Sequence, residues 1–155
     1  MTKAWRIVED DLSGPDIRAL LEVHFAGMLA NSPAESCHFL DFDGLNAPDV
    51  TFWSIHRDHE LAGCGALKMI DAAHGEIKSM RTAEAFLRQG VAAHMLDHIL
   101  DEARARGLGR LSLETGSSGA FEPALALYRR YGFEECAPFA DYKPDPFSVF
   151  MTRTL

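Results

Sequence analysis

A chain of 155 residues, 47% hydrophobic and 25% charged, holds material for one apolar core and little for a second, so residues 1–155 are expected to form a single domain. Its net charge of −8 argues against a nucleic-acid partner, which draws on clustered Lys and Arg, and no stretch approaches the ~18 uninterrupted apolar residues of a membrane span. Three widely spaced cysteines, Cys37, Cys64 and Cys136, suggest neither a zinc site nor a disulfide framework, and Met1 to Asp11 lacks the apolar centre of a signal peptide, so a cytoplasmic protein is expected.

Ala4 to Val8 reads as an opening strand. Ser13-Gly14-Pro15 supplies a cap and a first-turn proline, and Ile17, Leu20, Leu21, His24 and Phe25 follow at helical spacing, predicting a helix from Pro15 to about Ala30. Asn31 to Asp49 reads as a long loop with one short helical turn, of a length that usually serves a function such as covering a site. Val50 to Arg57, Glu60 to Ile70 and Glu76 to Thr82 are β-rich and joined by short turns, which predicts an antiparallel meander.

From Gly90 the period changes. Val91, Met95, Leu96, Ile99, Leu100 and Ala103 share one helical face, and Gly107 ends the helix. Arg110 to Glu114 is a strand. Pro123 opens a second helix, marked by Ala124, Leu127, Tyr128 and Tyr131 and closed by Gly132. Phe133 to Pro138 and Ser148 to Leu155 are the last strands, separated by the turn-rich Asp141 to Pro146. The order β-α-β-β-β-α-β-α-β-β predicts an α/β fold, a central mixed sheet flanked by helices.

The junction from Glu76 to Ala93 carries the chemistry. A strand leads through a polar connector into Arg88-Gln89-Gly90-Val91-Ala92-Ala93 at a helix start, where unpartnered N–H groups and the dipole favour phosphate. Gly90, Ala92 and Ala93 allow close approach, and Arg88 can add charge-assisted bonds. Equally, Gly90 could simply ease the turn while the alanines pack the helix. No GxGxxG follows a strand and no GxxxxGK[ST] occurs, which disfavours a dinucleotide enzyme or an NTPase. Between Arg81 and Arg130 there are seven Lys/Arg against six Asp/Glu, so an acidic protein keeps a near-neutral middle where an anion could sit.

Leu87-Arg88-Gln89-Gly90-Val91-Ala92, with Leu127-Tyr128-Arg129-Arg130-Tyr131-Gly132-Phe133 farther on, resembles the GCN5-related N-acetyltransferases. Leu87 departs from the Gln or Arg that the family prefers there. The ending Asp141-Tyr142-Lys143-Pro144-Asp145-Pro146 with Ser148-Val149-Phe150-Met151 also resembles a bacterial subgroup, some members of which are labelled indole-acetate-related. The resemblance implies an acetyl-CoA-dependent N-acetyltransferase working through a ternary complex on a small-molecule amine, with no metal. Met80, Arg81 and Thr82 would offer backbone to the pantetheine arm, Arg88, Gln89, Gly90, Val91, Ala92 and Ala93 would hold the pyrophosphate, and Tyr128 would stand beside the acyl sulfur. A phenol of pKa ~10 suits protonation of a departing thiolate. The amine must lose a proton, and Glu76 is the first candidate base, with Glu114 on the following strand second. A non-catalytic acyl-CoA-binding domain is the alternative reading, and a homodimer is left open.

His94 and His98 stand four apart without the Glu of a hydrolase motif, and read as a solvent-facing pair rather than metal ligands. Glu35-Ser36-Cys37-His38 places nucleophile, base and acid side by side in sequence, which is weak ground for a triad, and reads as a substrate wall. Asp41, Asp43, Glu76 and Asp141, in or near loops, suggest a pocket favouring a cationic amine.

Overall fold

The computed structural model describes residues 4–155. In chain order the main elements are β1 (Arg6–Glu9), α1 (Pro15–Asn31), α2 (Phe42–Leu45), β2 (Val50–Arg57), β3 (Glu60–Met69), β4 (His74–Thr82), α3 (Val91–Ala105), β5 (Arg110–Gly116), α4 (Glu122–Arg130), β6 (Glu134–Glu135) and β7 (Ser148–Thr154). The strands form one sheet in the order β1-β2-β3-β4-β5-β7-β6. β1 to β4 run antiparallel, β4 and β5 are parallel, and β5, β7 and β6 are antiparallel again. The parallel step needs a crossover, and α3 is that crossover.

The sheet separates two cores. On one face Leu12, Ile17, Leu21 and Leu45 close over Phe52, Cys64 and Ala66. On the other, Met95, Leu96 and Ile99 of α3 and Leu125 and Tyr128 of α4 pack against Leu67, Ile77 and Leu113. Each large α3 side chain gains about 1.5–3 kcal/mol by this burial, which fixes the helix and therefore where its N-terminus points.

Two irregularities position the site. The register between β3 and β4 runs Cys64↔Arg81, then Ala66↔Lys78, so Ser79 and Met80 together oppose Gly65. This is a β-bulge, with Ser79 at φ 57. Pairing of β4 with β5 ends at Ile77↔Leu113, although β4 runs on to Thr82 and β5 to Gly116. β5 keeps its other neighbour, β7, as far as Gly116↔Ser148. The bulge bends β4, and the two parallel strands splay.

The expected order of elements is present, with two local differences. The long loop holds a 3-10 turn at Ala34–Ser36 as well as α2. The strand expected over Phe133 to Pro138 is confined to Glu134 and Glu135, with one further backbone bond from Cys136 N to Phe150 O at 2.9 Å. Phe133 is drawn into the core beside Tyr128, and Pro138 has no N–H to donate.

Candidate active site

The splay opens a cavity of about 410 Å3 that reaches both faces of the sheet. Its walls are β4 from Ile77 to Thr82 and β5 from Leu113 to Thr115, with α1 and His38 on one face and α4 and Ala92 on the other. Beyond Ile77 the β4 edge that faces β5 has no strand to pair with among the described residues, so the backbone groups on that edge between Met80 and Thr82 open onto the cavity. The Ser79 hydroxyl is buried with no hydrogen-bond partner among the described residues.

Arg88 (φ 62) and Gly90 (φ 83) both lie in the left-handed region just before α3. For Arg88 that conformation is strained, and such strain gathers where a loop must be held for function. Gln89 braces it, donating to Ala85 O at 3.3 Å and accepting from Arg57 Nη1 at 3.3 Å. Gly90 caps α3 without a side-chain acceptor, and the first turn holds no acid. His94 N bonds back to Gly90 O at 3.0 Å, leaving the amides of Val91, Ala92 and Ala93 without helix partners. The structure thus assembles all six residues of the segment, with Arg88, Gln89 and Gly90 exposed and the Val91 side chain buried as an anchor.

Tyr128 lies on the buried side of α4, 6% exposed, and lines the cavity. Its ring meets Phe133 edge-on, with centroids 5.8 Å apart. Its hydroxyl makes no hydrogen bond among the described residues. Burial pushes its pKa well above the ordinary phenol value, so the group stays protonated throughout the neutral range.

The two candidate carboxylates differ sharply. Glu76 is 3% exposed and has two partners on one oxygen: Lys78 Nζ donates to its Oε2 at 3.1 Å and Tyr142 OH donates to the same atom at 2.5 Å. Lys78 also donates to Tyr142 OH at 2.8 Å and to His38 O at 3.0 Å. This cluster lies in a second cavity of about 490 Å3, which shares His38, Phe39 and Lys78 with the first. Glu114 instead faces the Tyr128 cavity. It accepts only from Ser148 Oγ, at 2.7 Å. Burial raises its pKa, against the lowering effect of that hydroxyl and of His38 and Lys78.

Residues that the sequence reading missed are Lys78, Tyr142, His24 and Ser79. Lys78 was legible, two residues from Glu76 on the same face of one strand. Tyr142 was not, since the 142–78 contact depends on how the last loop folds. Other candidates are engaged elsewhere. The Cys37 thiol points at the carbonyls of Met28 and Pro33, both at 3.4 Å, and burial raises its pKa, while Ser36 donates to Asp145 at 2.6 Å. These contacts do not align a nucleophile with a base. Asp41 caps α2, accepting from Gly44 N at 2.9 Å. His98 meets Trp53 edge-on and His94 sits beside Trp5. Among the described residues no three His, Cys, Asp or Glu side chains are grouped to hold a metal ion.

The family model described as "Acetyltransferase (GNAT) family" matches residues 16–133. The uncharacterized N-acetyltransferase YsnE of Bacillus subtilis is 55% identical over 146 residues, 94% of this chain and 97% of that protein. An IAA acetyltransferase of Azospirillum brasilense is 41% identical over 79% of this chain and 80% of that protein. Among solved structures, an acyl-CoA N-acyltransferase structure from Klebsiella pneumoniae superposes with a TM-score of 0.79 at 28% identity, covering 97% of both chains. A GNAT acetyltransferase from Elizabethkingia anophelis, solved with acetyl-CoA bound, shares the fold with a TM-score of 0.68 at 21% identity, covering 97% of this chain and 98% of that one.

Proposed function

The chain belongs to the acetyltransferase (GNAT) family and uses acetyl-CoA, and on that premise we propose that it acetylates a small-molecule amine by direct attack in a ternary complex at the β4–β5 splay. The amides of Val91 to Ala93, with Arg88 and Gln89, hold the pyrophosphate of CoA. The unpaired β4 edge at Met80 to Thr82 takes the pantetheine arm and leads the thioester between the strands. Tyr128 gives a proton to the departing sulfur. Its burial keeps it a donor, and the apolar wall that disfavours phenolate also disfavours a free thiolate, so the transfer is driven by the charge forming beside it.

An amine of pKa ~10 arrives protonated and needs a base. We assign that role to Glu114 rather than Glu76. Glu114 faces the cavity with the Ser148 hydroxyl as its one hydrogen-bond partner among the described residues, and although Ser148, His38 and Lys78 act against it, burial leaves its pKa raised, which makes it a better acceptor. Glu76 has both Lys78 and Tyr142 on one oxygen, and we assign it the structural task of holding Lys78. Placement in the bacterial subgroup rests on the Asp141 to Pro146 and Ser148 to Met151 segments, and the cytoplasm is the compartment that suits an acetyl-CoA-dependent enzyme.

The observation that carries the reading is the meeting, at one cavity, of a helix start with no side-chain cap, an unpaired strand edge and a buried phenol with no hydrogen-bond partner among the described residues. A non-catalytic acyl-CoA-binding domain would need the first two and not the third. The test is calorimetric titration with CoA, using Ala92→Glu as the control. Gly90 is the poorer control because its φ of 83 penalises any side chain regardless of ligand. Wild type should bind, and the folded variant should lose binding to charge repulsion and bulk. No heat and no thermal shift with wild type at millimolar CoA would end the reading.

A further inference from the structure

The cavity wall facing α1 carries two charges that the protein leaves unmatched. Arg81 is half-buried, and its Nε donates to His24 Nδ1 at 3.0 Å while its Nη2 donates to His24 O at 3.2 Å. Neither acceptor is charged. Burial, aided by the guanidinium, lowers the His24 pKa to about 4, so the ring is neutral at pH 7 and its proton sits on Nε2. No carboxylate lies within ion-pair distance of Arg81 among the described residues. A guanidinium has five N–H donors, and these contacts use two.

The chain makes room for that guanidinium. A Cβ on Gly27 of α1 would lie 2.7 Å from Arg81 Nη2, so the missing side chain at Gly27 lets Arg81 lie against α1. Leaving a half-buried cation without a counter-charge is costly unless a ligand supplies one. Met80, by contrast, points to the opposite face, where a Cβ on Gly65 would meet both its sulfur and Met95. The Arg81 side chain therefore faces away from the side where α3 begins, so pyrophosphate held there does not supply its counter-charge.

Glu114 is the second unmatched charge, with no Lys or Arg within ion-pair distance among the described residues. The strand register sets Glu114 level with Lys78, and Arg81 stands about two strand steps farther along, roughly 7 Å, across the splay. A separated anion and cation on one cavity wall complement a molecule with the opposite charges at similar spacing.

Resting on the acetyltransferase reading above, we propose that the acceptor is an amine that also carries a carboxylate, of the amino-acid class, with its carboxylate on Arg81 and its ammonium on Glu114. In the reaction the ammonium passes one proton to Glu114, the freed nitrogen pair forms the C–N bond, and the C–S pair leaves with sulfur. Of the two protons nitrogen loses, one is released to solvent from Glu114 and the other replaces the proton that Tyr128 gives to sulfur. The products are the N-acetyl carboxylate and CoA thiol. Of the acids expected to favour a cationic amine, Glu76 is paired with Lys78 and Asp41 caps α2, while Asp141 lines the second cavity, so in the proposed site the ammonium falls to Glu114.

The test measures thiol release from acetyl-CoA with a panel of amino acids, each matched with its amide and its decarboxylated amine. At least one amino acid should exceed both counterparts in kcat/KM by about 10–100-fold, the range of one or two charge-assisted bonds. Arg81→Gln, which keeps a donor for His24, should collapse that ratio through the KM of the amino acid, and Arg81→Lys should restore part of it. Decarboxylated amines turned over as well as their amino acids would overturn the proposal while leaving acetyl transfer standing, and so would an unchanged ratio in folded Arg81→Gln. Acetyl-CoA binding without turnover of any amino acid also overturns it, whereas failure to bind acetyl-CoA removes the underlying reading instead.

Discussion

The two ends of β4, separated by the bulge at Ser79 and Met80, treat charge in opposite ways. Before the bulge, Glu76 and Lys78 are both more than nine-tenths buried in their side chains, sit 3.1 Å apart and share Tyr142. After it, Arg81 has only neutral partners, and across the splay Glu114 has only a hydroxyl. Up to the bulge the strand closes its polar groups on one another, and past it the polar side chains have no charged partner among the described residues. On the proposed reading, a nine-residue strand divides at its bulge into a structural half and a chemical half.

The largest effect that would sharpen this division is at Tyr128, the phenol on the open side. Tyr128→Phe keeps the ring against Phe133 and deletes the hydroxyl, so kcat should fall by ~10²–10⁴ while acetyl-CoA affinity stays within about twofold. Steady-state kinetics with any active acceptor, together with calorimetry, reads both. Full kcat in the variant would make Tyr128 a core aromatic and nothing more.

A smaller effect tests whether the open end depends on a neutral His24. Its folded pKa of about 4 lies below the ordinary value of 6.5, so the unfolded chain binds more protons between those pH values. Stability from this group is therefore complete above pH 6.5 and is lost as pH falls toward 4, by up to ~3 kcal/mol. Urea unfolding across that window should show the loss in wild type and a flatter profile in His24→Gln. Identical slopes would mean that His24 is not the neutral support of Arg81.

Much of this was legible in the sequence because it depends on local periodicity. β-rich composition between short turns marked β2 to β4, the helical spacing of Met95, Leu96 and Ile99 marked α3, and Gly90 before that run located the helix start proposed to bind phosphate. The bulge was not legible, because Ser79-Met80 carries no glycine or proline and its register is set by β3, a distant segment. The same limit hid part of the difference between the two glutamates. Glu76 and Glu114 stand on adjacent strands, and beyond the legible Lys78 it is the fold of the last loop, which brings Tyr142 to Glu76, that separates them. Arg81 was legible as a strand residue at the proposed site, but the place of its side chain against α1 depends on Gly27, 54 positions earlier.

The most direct test of the division is to neutralise each glutamate separately and measure turnover and unfolding together. Glu114→Gln should cut kcat/KM by ~10²–10⁴ and leave stability unchanged or raised, because it removes a half-buried carboxylate that has no cationic partner. Glu76→Gln should keep most of the turnover but lose ~3–5 kcal/mol of stability, because Lys78 remains buried without its counter-charge. The opposite pattern, with activity lost at Glu76 and stability lost at Glu114, would contradict the account and make the end of β4 before the bulge the chemical one.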